Sequence, residues 1–445
     1  MNSADSSLTT GGSRSGPSHK AKWLALTAAF LGWMFDGLEM GLFPLVARPA
    51  MMELMGPEAM SNFGTWMSII IAMFLVGAAL GGVLFGWLGD KIGRTRAMVW
   101  SVLSYSLLSG LCAFATEPWH IAGLRFLAAL GMGGEWALGV ALVMEIWPTK
   151  SRPLMAGLIG AAANVGFLLV ALISLGLNSV ITGVGGFLDL VLPAAAVEAL
   201  LANGAWRMLF LLGAVPAFLT LFIRIFVPES ERWHEAVKNS TEAPKVRSLF
   251  QGTQARRTII GAALGAVALL GTWGSVQWIP SWGDKLSGGL PGARATLQMW
   301  SAIGAILFSI LAGLLADRLN RRLTYFLLST ACLVACAILF RAPMSYGTGL
   351  FFWTFLVGGL SASFYGWLPL YLPELFPTRL RATGAGFAFN AGRVLAAAGT
   401  LGAGALLNVF NEDYARMASV ISLVYVLGMI LIWFGPETKG KPLPE

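Results

Sequence analysis

The chain has 445 residues, of which 56% are hydrophobic and 12% charged, with 54 glycines and a formal net charge of +8. A charged share near half of the usual quarter or so leaves a surface that water does not solvate, which excludes an ordinary soluble protein. The basic residues sit in short segments between apolar runs, which excludes nucleic-acid binding as the meaning of the charge, and the missing apolar/polar alternation excludes a membrane β-barrel.

Residues 1–20, rich in Ser, Gly and Thr, read as a disordered cytoplasmic tail. The first apolar run is long, carries acidic residues and lacks a small-residue cleavage site, so no signal peptide is expected. Apolar runs of about 20 residues, enough to cross a hydrocarbon core of about 30 Å, then follow one another. The first six predicted spans are 22–46, 64–88, 97–116, 119–147, 153–177 and 206–227. The next six are 258–281, 295–316, 323–341, 347–371, 382–408 and 414–435. The expectation is an all-α membrane protein with an N-terminal six-helix bundle over 21–227, a cytoplasmic linker over 228–257, a C-terminal six-helix bundle over 258–435 and a cytoplasmic tail over 436–445.

Twelve spans put both termini on one side. Of the Lys and Arg residues in the loops and at the span ends, 22 fall on that side, among them Lys22, Lys91, Lys150 and Arg256; only Arg48, Arg207, Lys285, Arg294, Arg341 and Arg416 fall on the other. The positive-inside rule therefore predicts cytoplasmic termini, and the expected location is a cell (inner) membrane. Residues 185–203 are apolar enough to suggest a further span, but Asp189, Pro193 and Glu198 argue for a helical hairpin or short helix on the outer face. Cys112, Cys332 and Cys336 lie inside apolar runs and read as packing residues.

The two halves repeat one another. Gly86-Trp87-Leu88-Gly89-Asp90-Lys91 with Arg94 returns 227 residues later as Gly313-Leu314-Leu315-Ala316-Asp317-Arg318 with Arg321. Glu145-Ile146-Trp147-Pro148-Thr149-Lys150 returns 229 residues later as Glu374-Leu375-Phe376-Pro377-Thr378-Arg379. Pro228-Glu229-Ser230 is echoed by Pro436-Glu437-Thr438. Internal repeats of this kind mark secondary transporters.

These repeats resemble the major facilitator superfamily over residues 20–440. GWLGDKIGRTR is similar to its loop motif between spans two and three, Arg125 with Gly131, Gly133, Gly134 and Glu135 to its fourth-span motif, and PESERW and PETKG to sugar-porter signatures. The combination FDGLE, GMGGEW and ELFPTRLRATGAG resembles the acid:proton symporter branches, which carry sialate, monocarboxylates and aromatic acids; here Glu39 stands where the aromatic-acid pattern has a second Asp. The resemblance implies a monomeric carrier working by alternating access, and a cytoplasmic gate formed by Asp90, Arg94, Glu145, Arg152, Asp317, Arg321, Glu374 and Arg381.

Charges inside a bilayer are costly and therefore functional candidates. Asp36 and Glu39 share one helical face. Glu39 and Arg125 lie at matching depths, about 7–8 Å and about 9 Å from the outer ends of their spans, so an ion pair is expected. The resemblance gives that pair a part in proton coupling, with Glu39 or Asp36 as the proton carrier; a static salt bridge is the alternative reading. Glu135, deeper in span four, reads either as a proton relay or as the partner of a cytoplasmic-side arginine. Arg393 falls close to the midplane with no acidic residue within a turn, where its planar fork suits a substrate carboxylate; an interhelical ion pair is the alternative. Asn390 and Gln277 are candidate amide partners. Among Trp273, Trp278, Trp282, Phe364, Tyr365 and Trp367, several are expected to line a cavity, with Trp282 at the interface.

No Walker-type loop, metal-ligand cluster or nucleophile–base pair is legible, so no cofactor, metal or enzymatic activity is expected. The leading expectation is proton-coupled symport of a small organic anion. A sugar transporter is the alternative, with an amphipathic exporter or a transport-dead sensor further behind.

Overall fold

The computed structural model describes residues 18–56, 59–238, 246–411 and 413–445. The expected tail up to residue 17 and the linker stretch 239–245, with Arg14 and Lys245, lie outside the described residues. Seventeen α-helices and no strand occur among those described. The first half holds α1 (His19–Met55), α2 (Ala59–Ile92), α3 (Arg94–Leu111), α4 (Pro118–Ile146), α5 (Arg152–Leu175), α6 (Leu177–Leu188), α7 (Ala194–Leu212) and α8 (Ala217–Phe226). Helix α9 (Glu231–Lys238) opens the connection to the second half. That half holds α10 (Gly252–Gly274), α11 (Ile279–Leu286), α12 (Ala293–Arg318), α13 (Arg321–Arg341), α14 (Thr348–Leu375), α15 (Arg381–Val409), α16 (Tyr414–Ile421) and α17 (Val424–Leu431).

Local sequence explains where helices start and bend. Pro118 opens α4 and Pro153 falls in the first turn of α5, where a missing N–H costs nothing. Asn320 caps α13 by accepting the Leu323 N–H at 2.8 Å, and Asp413 caps α16 through Arg416 N–H at 2.9 Å. Pro44 and Pro49 interrupt the ladder of α1, which turns by 53° between His19–Pro44 and Pro49–Met55. Helix α7 turns by 95° between its Ala194–Asn203 arm and the segment from Ala205, where Asn203 and Ala205 take left-handed φ values of 49° and 56°.

Among the described residues, nine helical segments are long and apolar enough to cross a membrane, and eleven if each of the two bent pairs counts as one span. The expected span 382–408 is α15, a single helix of 29 residues that falls outside that apolar set. Residues 185–203 form the end of α6, a turn and the first arm of α7, with Leu201 lying against Gly185. The tip of this hairpin exposes Phe187, Leu190 and Val191, while Leu188, Leu200 and Leu201 pack towards a core around Trp206 and Phe43.

The halves meet along α2 with α15 and along α5 with α12. Backbones touch there. A Cβ on Gly157 of α5 would collide with the Ile310 backbone of α12, and one on Gly86 of α2 with the Ala382 carbonyl of α15. Small residues permit this approach where lipid offers no hydrophobic drive for association.

Candidate functional site

Both chain ends described lie at the same end of the molecule. Trp147 donates its indole N–H to the Lys22 carbonyl at 3.1 Å, and Arg381 donates to the Pro444 carbonyl at 2.8 Å. A buried charge network closes the halves together at this end. Arg94 pairs with Asp90 at 2.6 Å and with Glu145 at 2.9 Å, and Arg381 reaches across from α15 to the same Glu145 oxygen at 2.8 Å. Asp90 also accepts the Thr383 N–H at 2.8 Å, and Arg94 donates to the Thr378 carbonyl at 2.6 Å.

The repeat of this network in the second half is not its copy. Arg321 grips Glu374 through two bonds of 2.7 and 3.0 Å, but Asp317 is exposed and takes no part. Arg152, the counterpart of Arg381, is buried at 4% exposure yet reaches no acceptor with its guanidinium among the described residues. The glutamates of the two Pro-Glu signatures are helix caps. Glu229 accepts the N–H groups of Arg94 and Thr95 at the start of α3, and Glu437 those of Arg321 and Arg322 at the start of α13. Burial pushes the Glu229 carboxyl above its ordinary value despite these donors and the Arg94 charge. At Glu437 burial acts in the same direction, but four backbone N–H donors outweigh it and hold the carboxyl below its ordinary value.

From the other end a cavity leads inward. Its outer compartment, about 290 Å³, is lined by Pro44, Ser174, Pro280, Arg294 and Gln298, residues at the far ends of their helices from the network. Its inner compartment, about 50 Å³, is lined by Trp33, Asn164, Thr272, Tyr365, Phe389 and Arg393. Met40, Phe167, Trp273 and Gln277 belong to both and make one path. The protein is thus closed at the terminus-bearing end and accessible from the opposite one.

Arg393 is the cation of the inner compartment, buried at 5% exposure, with Nη1 unpartnered among the described residues. Its Cζ lies 5.6 Å from the Phe389 ring, which stacks on Trp136 at 4.0 Å and meets Trp33 and Tyr365 edge-on at 6.0 and 6.3 Å. Asp36, across the interface on α1, is the carboxylate whose charge acts on Arg393. Asp36 is fully buried, and neither of its oxygens has a hydrogen-bond partner among the described residues. Glu135 is in the same condition on α4, with Oε1 against Gly32, one turn before Asp36; Ser101 nearby donates instead to the Gly131 carbonyl.

Glu39 is differently placed. Its carboxylate accepts Arg125 Nη1 at 2.5 Å and the Ser109 hydroxyl at 2.9 Å, and the guanidinium lies between the Phe43 and Phe74 rings at 4.5 and 4.9 Å. This pair is sealed, with side-chain exposures of 3% and 4%. Removing one charge strands the other in a dry site, a loss of about 3–5 kcal/mol. Glu39→Gln and Arg125→Gln are therefore each expected to lower the midpoint of thermal unfolding in detergent by several degrees. The double variant should recover much of that loss; additive losses would argue against the pair.

Of the other candidates, Gln277 and Tyr365 line the cavity. Asn390 does not: its amide donates to the Gly133 and Gly386 carbonyls at 3.0 and 2.9 Å, tying α15 to α4. Phe364 and Trp367 are buried against Tyr325, Tyr425 and Tyr371, and Trp282 is buried against Phe340 rather than at a surface. Sequence reasoning missed Trp33, Phe389, Asn164 and Thr272. A signal existed for two of them: Phe389 stands one turn before Arg393, and Trp33 three residues before Asp36. Among the described residues, no three His, Cys, Asp or Glu converge as metal ligands, and the three cysteines are buried and free.

The model of the Major Facilitator Superfamily matches residues 23–400. The chain belongs to the major facilitator superfamily. Among its relatives are two proteins of Acinetobacter baylyi. The cis,cis-muconate transport protein is 29% identical over 84% of this chain and 85% of its own length; the niacin transporter is 25% identical over 96% and 97%. Among solved structures, the proton:xylose symporter bound to 6-bromo-6-deoxy-D-glucose superposes with a TM-score of 0.75, at 18% identity over 95% of this chain and 98% of that one. This major facilitator protein is a multi-pass integral membrane transporter, and its accessible cavity with one closed end is the arrangement alternating access requires.

Proposed function

We propose that the protein is a proton-coupled symporter of a small organic anion in the cell (inner) membrane, with both termini cytoplasmic and the monomer as the working unit. The observation that carries this reading is Arg393, a buried guanidinium at the floor of the accessible cavity, with an unpartnered Nη1 and aromatic rings around it. A substrate carboxylate entering from the outer compartment meets a planar fork there, and the rings hold the rest of the molecule. Gln277, Tyr365 and Asn164 supply polar contacts, and the relatives' substrates, cis,cis-muconate and niacin, fit this chemistry.

Asp36 and Glu135 carry the proton in this reading. Two buried carboxylates close enough to feel each other's charge resist being charged together, so one proton is shared between them when the substrate takes over Arg393. While the substrate is absent, Asp36 supplies the negative charge that Arg393 needs. Substrate and proton thus occupy the site together, or leave it together, which is the thermodynamic content of symport. The network of Asp90, Arg94, Glu145 and Arg381 acts as the cytoplasmic gate, and the Glu39–Arg125 pair braces the first half.

The test is uptake of radiolabelled acids and sugars into proteoliposomes, with and without an inward proton gradient. Gradient-driven accumulation of a carboxylate is expected. Gradient-independent equilibration of a neutral sugar would overturn both the substrate and the coupling.

A further inference from the structure

The terminus-bearing end holds a second pocket, separate from the substrate path, of about 420 Å³. Lys22, Arg152 and Arg232 line it, together with Glu145, Glu231 and Trp147. Arg152 is the built part of this pocket. It is buried at 4% exposure, its Nε is sealed from solvent without an acceptor, and no hydrogen bond or ion pair reaches its guanidinium among the described residues. Its repeat partner Arg381 shows what such a position ordinarily holds, namely a carboxylate at 2.8 Å, the Thr378 hydroxyl at 3.0 Å and a carbonyl at 2.8 Å.

The carboxylates near Arg152 are held mainly by other arginines, although Glu145 Oε2 is buried without a donor among the described residues. Glu145 is shared by Arg94 and Arg381, and Glu374, which also acts on Arg152, is held by Arg321. The described lining sets Glu145 and Glu231 against Lys22, Arg152 and Arg232, and Glu145 is further offset by Arg94 and Arg381, so the pocket has an excess of positive charge. A buried guanidinium without a counter-anion is expensive, and a ligand that supplies one gains what the fold leaves unmade.

We propose that this pocket binds a phosphate group, gripped by Arg152 and flanked by Lys22 and Arg232, and that the bound phosphate clamps the closed gate. The headgroup of an anionic phospholipid and a free phosphate share the chemistry the site needs, because both present at least two anionic phosphate oxygens to the arginine fork. The site does not depend on which substrate Arg393 takes.

The test uses the full-length protein purified in detergent, with thermal unfolding and native mass spectrometry as readouts. The probes are inorganic phosphate, short-chain phosphatidylglycerol and short-chain phosphatidylcholine. An adduct and a raised unfolding midpoint with phosphatidylglycerol but not with phosphatidylcholine support the site with a lipid source. The same with inorganic phosphate supports it with a soluble source. Arg152→Gln is expected to abolish the effect. Arg232→Gln, at an exposed position that folding does not rely on, should weaken binding at least fivefold even if Arg152→Gln fails to fold. No adduct and no shift with any phosphate probe, or binding unchanged in Arg232→Gln and Lys22→Gln, overturns the proposal.

Discussion

Arg393→Ala is expected to lower the affinity for the transported anion by about 30-fold or more, because truncating one member of a buried charged pair costs about 2–5 kcal/mol. The physical reason lies in the position of this guanidinium. It is buried beside the Phe389 ring, so water does not compensate its loss, and Gln277 and Tyr365 can offer polarity but no charge. Arg393→Lys should fall between wild type and alanine, since it keeps the charge and loses the planar fork. The measurement is isothermal titration or scintillation-proximity binding of the anion to purified protein. The fold should be intact in both variants, because no hydrogen bond from the Arg393 side chain holds a neighbouring helix among the described residues. Unchanged affinity in the alanine variant would remove Arg393 from the substrate site.

Asp36→Asn is expected to abolish concentrative uptake while leaving exchange of substrate across the membrane. At one proton per anion, a pH difference of one unit supports about tenfold accumulation, the equivalent of about 1.4 kcal/mol. The variant should bring that ratio close to one. The argument rests on the contrast between two acids three residues apart on α1. Glu39 is saturated by Arg125 and Ser109, whereas Asp36 has no hydrogen-bond partner among the described residues and feels the charges of Glu135 and Arg393. A neutral amide at position 36 cannot release a proton, so the substrate cycle no longer draws on the gradient. Glu135→Gln should reduce the accumulation ratio less severely, because Asp36 alone still faces Arg393. Gradient-driven accumulation that survives Asp36→Asn would show that the proton moves elsewhere.

The apolar helices, the repeat and the family were legible because each depends on local pattern. Twenty-residue apolar runs mark helices wherever they end up, and offsets of 227 and 229 residues are visible without coordinates. The depth argument likewise brought Glu39 and Arg125 together, because axial rise along two neighbouring helices is nearly independent of how they pack. What stayed hidden depends on which face a residue turns and on where the halves meet. Asn390 has the chemistry of a ligand contact, yet α15 lies so close to α4 that its amide is used on the Gly133 carbonyl. Asp317 repeats Asp90 in sequence but is exposed, and Arg152 repeats Arg381 but has no acceptor among the described residues, since the two halves meet asymmetrically at that end. The 95° turn in α7 arises from left-handed residues at Asn203 and Ala205, which hydropathy does not report.

The central claim is that anion and proton move together through one site. Its most direct test is simultaneous recording of both fluxes in proteoliposomes, with a pH-sensitive dye inside and a radiolabelled carboxylate such as cis,cis-muconate or niacin outside, and no imposed gradient. The account predicts that anion entry acidifies the lumen in fixed proportion, and that Asp36→Asn abolishes the acidification. Anion entry that leaves the internal pH unchanged in the wild-type protein would contradict it.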